Sequence, residues 1–169
     1  MRIFDFLFGK KEESNFNSKG ELDGIQTTFF NNGKISTIKT YKNGKRNGLW
    51  KKYYKNGNLK SKITFDNNGK ENGTHTRYTE SGKILSVINY KNGMKHGEDI
   101  SYHIDSDIIE QKQEYVNDKK HGLKMYNNQK GEIRTKSYYE KGDLVTSAYI
   151  KDEKNGTFIT NKVDGKLIT

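Results

Sequence analysis

Short runs of six to eight residues, rich in aromatic and β-branched types, alternate along the chain with Asn-Gly and Ser-Gly steps. The best-formed stretch reads Gly48-Leu-Trp-Lys-Lys-Tyr-Tyr-Lys-Asn-Gly57, then Asn-Leu-Lys-Ser-Lys-Ile-Thr-Phe65, then Asp-Asn-Asn-Gly69-Lys-Glu-Asn-Gly73. Runs of this length bounded by turn residues predict β-hairpins rather than helices. The turns keep a register: Gly24, Gly48, Gly73, Gly97 and Gly122 follow one another at 24, 25, 24 and 25 residues. A second series falls nine residues later, at Gly33, Gly57, Gly82 and Gly131, with Ser106 in its place once. A third comprises Gly44, Gly69, Gly93 and Gly142, with Asn117-Asp118 as the exception. A fixed period of this size marks a repeat architecture, in which each unit needs its neighbours to bury a face.

Aligned on the register, the repeats place an aromatic at Phe29, Tyr53, Tyr78 and Tyr102 and an aliphatic at Ile35, Leu59, Ile84, Ile108 and Ile133. A small residue follows at Thr37, Ser61, Ser86 and Thr135, and an aromatic closes the strand at Tyr41, Phe65, Tyr90 and Tyr139. Glu110 and Tyr115 mark the repeat that departs from this pattern. A three-residue loop with a left-handed glycine, as Asn31-Asn32-Gly33 allows, sets the aromatic and aliphatic series opposite each other on one core face. A two-residue type I′ loop would instead pair Phe30 and Tyr54 with Ile35 and Leu59. The regular recurrence favours the first. Asp23, Asn47, Asn72, His96 and His121 precede the register glycines. Asp, Asn and His are the non-glycine types enriched at positive φ, so these positions are expected to be left-handed.

These residues resemble tandem MORN repeats, in the variant form of bacterial antitoxin-like proteins. The resemblance rests on Tyr53 to Gly57, Leu59, Ser61, Phe65 and Gly69-Lys70-Glu71-Asn72-Gly73, with a parallel run from Phe29 to Gly48. It covers about residues 17–145, with Asn17 to Gly24 as the tail of a truncated first unit, and residues 98–118 lose both turn glycines. It implies an all-β fold of about six hairpin repeats in an elongated single-layer antiparallel meander, and it implies no enzyme. The organisation expected is a short amphipathic helical cap or anchor at 1–13, hairpin repeats at 14–146 and a degenerate final hairpin at 147–169. Within the first segment Ile3, Phe4, Leu7 and Phe8 have helical spacing over residues 2–9.

Composition fits a sheet with little depth. Of 169 residues, 30% are apolar and 31% charged, yet 12% are aromatic, which a disordered chain would lack. The absence of cysteine excludes disulfides, thiolate metal sites and thiol nucleophiles, and the absence of proline excludes a Pro-rich linker. The apolar stretch from Ile3 to Phe8 is too short to span a membrane and is not followed by a small-residue cleavage site, so neither a span nor a signal peptide is expected.

No nucleophile with a base, carboxylate pair or phosphate-cradling loop stands out, and no catalytic residue, cofactor or metal is expected. His75 and His103 have no recurring ligand at metal spacing, and Asp105, Asp107 and Glu110 lack the glycine and ligand spacing of a calcium loop.

The net charge of +10 points to an anionic partner. Phe30, Trp50, Lys52, Tyr54, Lys60, Lys62 and Arg77 fall on the strand face opposite the assigned core and form the candidate partner-binding surface. Aromatics interleaved with Lys can stack on single-stranded bases, but with only 4 Arg and many lysines in turns, nucleic acid is disfavoured. A small-molecule ligand is disfavoured too. The expected function is a non-enzymatic scaffold that binds another protein, most concretely an antitoxin or immunity protein occluding an acidic toxin or effector. The alternative is a membrane-associated scaffold contacting anionic lipid through residues 1–11 and Lys-rich loops. Either reading expects a cytoplasmic protein, in the second case peripheral at the inner face of the membrane.

Overall fold

The computed structural model describes residues 12–150 and 158–161, and within them every regular element is a β-strand. The first six are β1 (Glu12–Phe16), β2 (Leu22–Phe29), β3 (Ile35–Lys42), β4 (Lys45–Tyr53), β5 (Leu59–Phe65) and β6 (Gly73–Tyr78). The others are β7 (Ile84–Lys91), β8 (Met94–Tyr102), β9 (Ile109–Val116), β10 (Lys119–Asn127), β11 (Ile133–Glu140), β12 (Asp143–Ile150) and β13 (Phe158–Asn161). They fall into two compact units, Met1–Lys83 with β1 to β6 and Ile84–Thr169 with β7 to β13. In each unit every strand pairs antiparallel with the next in chain order, which is the expected hairpin meander. The helical segment expected at residues 2–9 lies outside the described residues. Glu12 and Glu13 belong to β1, opposite Thr28 and Thr27.

The turns follow from their residues. Phe30 N–H donates to Lys34 O at 2.8 Å and Gly33 N–H to Phe30 O at 2.9 Å, with Gly33 at φ 78°. This is the expected three-residue loop; the same pair of bonds recurs on its register at Tyr54–Asn58, Thr79–Lys83 and Asn128–Glu132, and off that register at Asp66–Lys70. The intervening turns Asn43-Gly44, Asn92-Gly93, Asn117-Asp118 and Lys141-Gly142 have both residues at positive φ, the type I′ geometry that matches strand twist. The loop from His103 to Ile108 is one residue longer, with Asp105 at φ 55°. Tyr102 therefore pairs with Ile109, where the alignment had placed Ile108.

One expectation about the register is overturned. Asp23, Asn47, Asn72, His96 and His121 are not left-handed; the register glycines are, with φ 59° at Gly48 and 66° at Gly122. Each glycine lies beneath a side chain of the preceding strand: a Cβ on Gly48 would stand 3.7 Å from Thr40 Cβ, and one on Gly122 would stand 2.8 Å from Glu114 Oε2. The residues before the glycines use side chains, not backbone strain, to tie a strand to the next turn. Asp23 accepts from Asn43 N–H at 3.2 Å, Asn47 donates to Asn67 at 3.0 Å, and His96 Nδ1 lies 3.3 Å from Asn117 Oδ1.

The opposite ends of the hairpins are laced as well. Asn32 Nδ2 donates to Lys55 O, Asn56 Nδ2 to Glu80 O, and Tyr54 Oη to Tyr78 O at 2.8 Å. His103 Nε2 lies 3.0 Å from Asn127 O. These bonds join residues 22 to 24 apart, so one repeat length separates the partners. A chain with few large aliphatic side chains thereby binds its hairpins through turn polar groups that would otherwise face water.

The predicted core face is divided. Phe29 pairs with Ile35 and Tyr53 with Leu59, as the three-residue loop requires. However, the register shifts between Thr28 and Phe29, so Thr37 pairs with Thr28 and Ile35 with the residue after it. Consecutive strand residues point to opposite faces, so the bulge sends the Phe29–Ile35 pair to one face and Thr37 and Tyr41 to the other. The same shift occurs between Lys52 and Tyr53. Phe65 on the second of these faces is buried at 5% exposure, whereas Ile35 and Ile84 are exposed.

Candidate cationic–aromatic binding face

The face that buries Phe65 also carries Trp50. Trp50 lies opposite Ile63, its ring centroid 4.8 Å from that of Phe65 and 5.2 Å from that of Tyr41. Its indole N–H donates to Thr40 O at 2.8 Å, so the ring is fixed at both its apolar and its polar end. The expectation that Trp50 projects from the surface opposite Phe65 is therefore corrected. The alternation was read through the bulges as though they were absent, and β4 carries an extra irregularity where its pairing with β3 shifts between Ile38 and Thr40.

Three rows of side chains cross the unit at this point. In the first, Lys52 on β4 is opposite Thr37 and Ser61, and Ser61 is opposite Arg77 on β6. Two cations thus flank a hydroxyl. In the second, Lys39, Trp50, Ile63 and His75 line a cavity of about 200 Å³. In the third, Arg46 pairs with Tyr41 and lies 4.6 Å from the centroid of Phe65, with Glu71 beside them at the cavity. Lys39 Nζ sits 5.4 Å from the centroid of Trp50. Each such cation–π contact contributes about 0.5–1 kcal/mol at an exposed site.

The electrostatics of the face are one-sided. Among the described residues, Lys39, Arg46, Lys52 and Arg77 form no ion pair, and Glu71 is the carboxylate at the cavity. His75 registers the imbalance. Burial lowers its pKa below the ordinary value, Glu71 opposes that, and the charges of Arg77 and Lys52 add to it. At the β1 edge, hydrogen bonds from Ser14 and Gln26 lower the Glu12 pKa, with Lys39 contributing.

In the second unit the register repeats, and two of its cations, Lys95 and Lys112, are matched by carboxylates. Lys95 and Lys120 stand over Tyr115 and Tyr139 at 4.9 and 4.8 Å, as Arg46 stands over Phe65. Asp99 occupies the place of Trp50 two residues after the register glycine and bonds Lys95 Nζ at 2.7 Å. Burial works against the Lys95 charge, but the Asp99 hydrogen bond and charge outweigh it and leave its pKa raised. Lys112 pairs with Glu98. Gln113 replaces the aliphatic and is buried at 1% exposure, donating to Glu114 O and His121 O.

Of the residues proposed from sequence, the fold brings together Trp50, Lys52 and Arg77. Lys62 is opposite Lys51 and Thr76, on the reverse face. Tyr54 and Lys60 meet at the hairpin end, Lys60 Nζ lying 5.2 Å from the ring centroid, and Phe30 lines a separate hollow with Phe29, Asn31, Asn32 and Lys55. Sequence reasoning missed Lys39, Arg46 and His75, and it had assigned Tyr41, Ser61 and Phe65 to a core on the other side. A signal was present: a cation two residues before the register glycine recurs at Arg46, Lys95 and Lys120, matched by an aromatic 17 or 18 residues after it.

Three stretches, residues 22–43, 46–67 and 71–92, match the family model of the MORN repeat variant. Their starts are 24 and 25 residues apart, the spacing of the register glycines. The first takes in β2 and β3, the second β4 and β5, and the third β6 and β7. MORN repeats are generally protein- or membrane-binding repeats. Trp50, Lys52, Ser61 and Phe65 lie in the second match and His75 and Arg77 in the third. No curated protein matches the chain.

Proposed function

We propose that the chain is a non-enzymatic protein-binding scaffold that presents the β3–β6 face around Trp50 to an acidic partner, and in its most concrete form is an antitoxin or immunity-type protein that neutralises a toxin by occluding it. One observation carries this reading: four cations without ion-pair partners flank a fixed indole, whereas one repeat pair further on Asp99 takes the place of that indole and pairs with Lys95. A ring already held in place binds without losing side-chain entropy, and unpaired charge around it speeds the encounter with an acidic surface. The tested pair is wild type and Trp50→Ala/Lys52→Glu, each shown folded by circular dichroism. Wild type is expected to retain one protein in stoichiometric amount and the variant to lose it. For the antitoxin form, co-expression with the product of a neighbouring reading frame should rescue growth for wild type only. Equal retention by both proteins refutes the assigned face. Flotation of wild type with anionic vesicles, unchanged by the double substitution, favours the membrane reading instead.

A further inference from the structure

We propose that this face recognises an extended acidic segment of the partner in which an acidic and an apolar side chain alternate, two residues apart; the proposal rests on the protein-binding reading and specifies its ligand. The argument is one of spacing. Lys52, Ser61 and Arg77 are direct neighbours on three adjacent strands, so the two cations stand about 10 Å apart across the sheet with a hydroxyl between them. A carboxylate above Ser61 can take a hydrogen bond from the hydroxyl and lie between the two charges. Two residues along the strands, about 6.5–7 Å away, is the row of Trp50 and Ile63 over the cavity of about 200 Å³.

An extended peptide lying along the strands repeats its side chains on one face at that same interval. An acid at one position and an aliphatic or aromatic at the second position after it therefore engage the two rows together. The indole N–H is committed to Thr40 O, so the second row offers the ligand apolar surface and not that donor. Beyond it, the third row sets Arg46 and Glu71 together at the cavity, so the next acid of the alternation meets one charge of each sign there. A nucleic-acid strand would need phosphate contacts along a longer track. The cations that this face offers lie in three short rows, and Arg77 is the one guanidinium of the first row.

Trp50, as the single tryptophan, is the reporter. The probe is a peptide of three Glu-Ser-Leu-Ser repeats, against its Glu-to-Gln counterpart, a Glu-Leu-Ser-Ser shuffle of the same composition that sets Glu and Leu on opposite faces, a single-stranded oligonucleotide and phosphatidylserine vesicles. Saturable change in Trp50 emission with the alternating acidic peptide, weakened roughly tenfold or more by Gln or by the shuffle, is expected. Lys52→Gln/Arg77→Gln should cause a similar loss, while Lys62→Gln, on the reverse face, should leave affinity unchanged. Equal binding of the Glu and Gln peptides, or of the shuffle, overturns the proposal, as does tighter binding of oligonucleotide or vesicles. If the peptide fails while a native partner is still lost on Trp50→Ala/Lys52→Glu, the ligand assignment alone is wrong. If that partner is retained by both proteins, the face itself is wrong.

Discussion

Replacing Phe65 by Ala tests whether the ring cluster is the stabilising centre of the first unit. Phe65 is the buried large apolar residue among those described, at 5% exposure, between the Trp50 ring at 4.8 Å and the Arg46 guanidinium at 4.6 Å. Truncating a buried Phe to Ala costs about 3–5 kcal/mol in a two-layer core. A one-layer sheet relaxes more easily and leaves part of the vacated space to water, which places the transfer cost near the lower bound. Loss of the tilted ring pair adds about 0.5–1.5 kcal/mol and loss of the cation–π contact about 0.5–1, though both overlap with the area already counted. The net expectation is about 3–4 kcal/mol. With a urea slope of about 2 kcal/mol/M, the unfolding midpoint should fall by roughly 1.5–2 M, followed by Trp50 emission. Phe65→Leu keeps most of the volume and should cost about 1–1.5 kcal/mol. A loss below about 1 kcal/mol for Ala, or equal losses for Ala and Leu, would show that the ring cluster does not organise this unit.

Trp50→Phe keeps a ring against Tyr41 and Phe65 but leaves Thr40 O without its indole donor, so a cost of about 1–2 kcal/mol is expected in chemical denaturation followed by circular dichroism. Gly122→Ala combines strain at φ 66° with a Cβ 2.8 Å from Glu114 Oε2, and should destabilise more than Gly33→Ala, which meets nothing within 4 Å at φ 78°. Adding Glu114→Ala should recover the steric part and leave the backbone part, about 1 kcal/mol. For His75 the folded pKa is depressed below the ordinary value of 6.5, chiefly by burial. The unfolded chain therefore binds the proton more readily, so His75 contributes stability above its unfolded pKa that is lost as pH falls through the folded value. Denaturation midpoints measured at about pH 7.5 and about pH 5.5 should differ less for His75→Gln than for wild type.

Much of the fold was legible because turn chemistry is local. Asn31-Asn32-Gly33 specifies its loop with no help from the rest of the chain, and four copies of that loop on one register fix which strands must pair. The pairing of Phe29 with Ile35 followed from loop length alone. The faces were not legible, because they depend on bulges, and a bulge of one residue exchanges inside for outside. Trp50 was assigned to the wrong side for that reason. The residues before the register glycines misled differently. Their composition suited positive φ, but Asp23 and Asn47 are kept for side-chain bonds to turns 20 residues further on, a tertiary demand that composition does not reveal.

The second residue after the register glycine is Gln26, Trp50, His75, Asp99 and Lys124 in turn, so it follows no repeat, and the tryptophan there is what distinguishes the Trp50 face. The ladder of cations over aromatics recurs at Arg46, Lys95 and Lys120, which argues that this contact holds the sheet together in both units. What differs is the adjacent position. Asp99 closes the charge of Lys95 within the sheet, whereas Trp50 offers Arg46 and Lys39 no anion and sets a half-buried ring beside them. Exchanging the two should therefore move the charge imbalance without rebuilding the ladder. Trp50→Asp should cost stability through the lost ring contacts and abolish partner binding. Lys39→Gln leaves the ring packing of Trp50, Phe65 and Tyr41 in place, and so separates the two effects: if it weakens partner binding with the unfolding midpoint nearly unchanged, the unpaired charge and not the packing is what the partner reads.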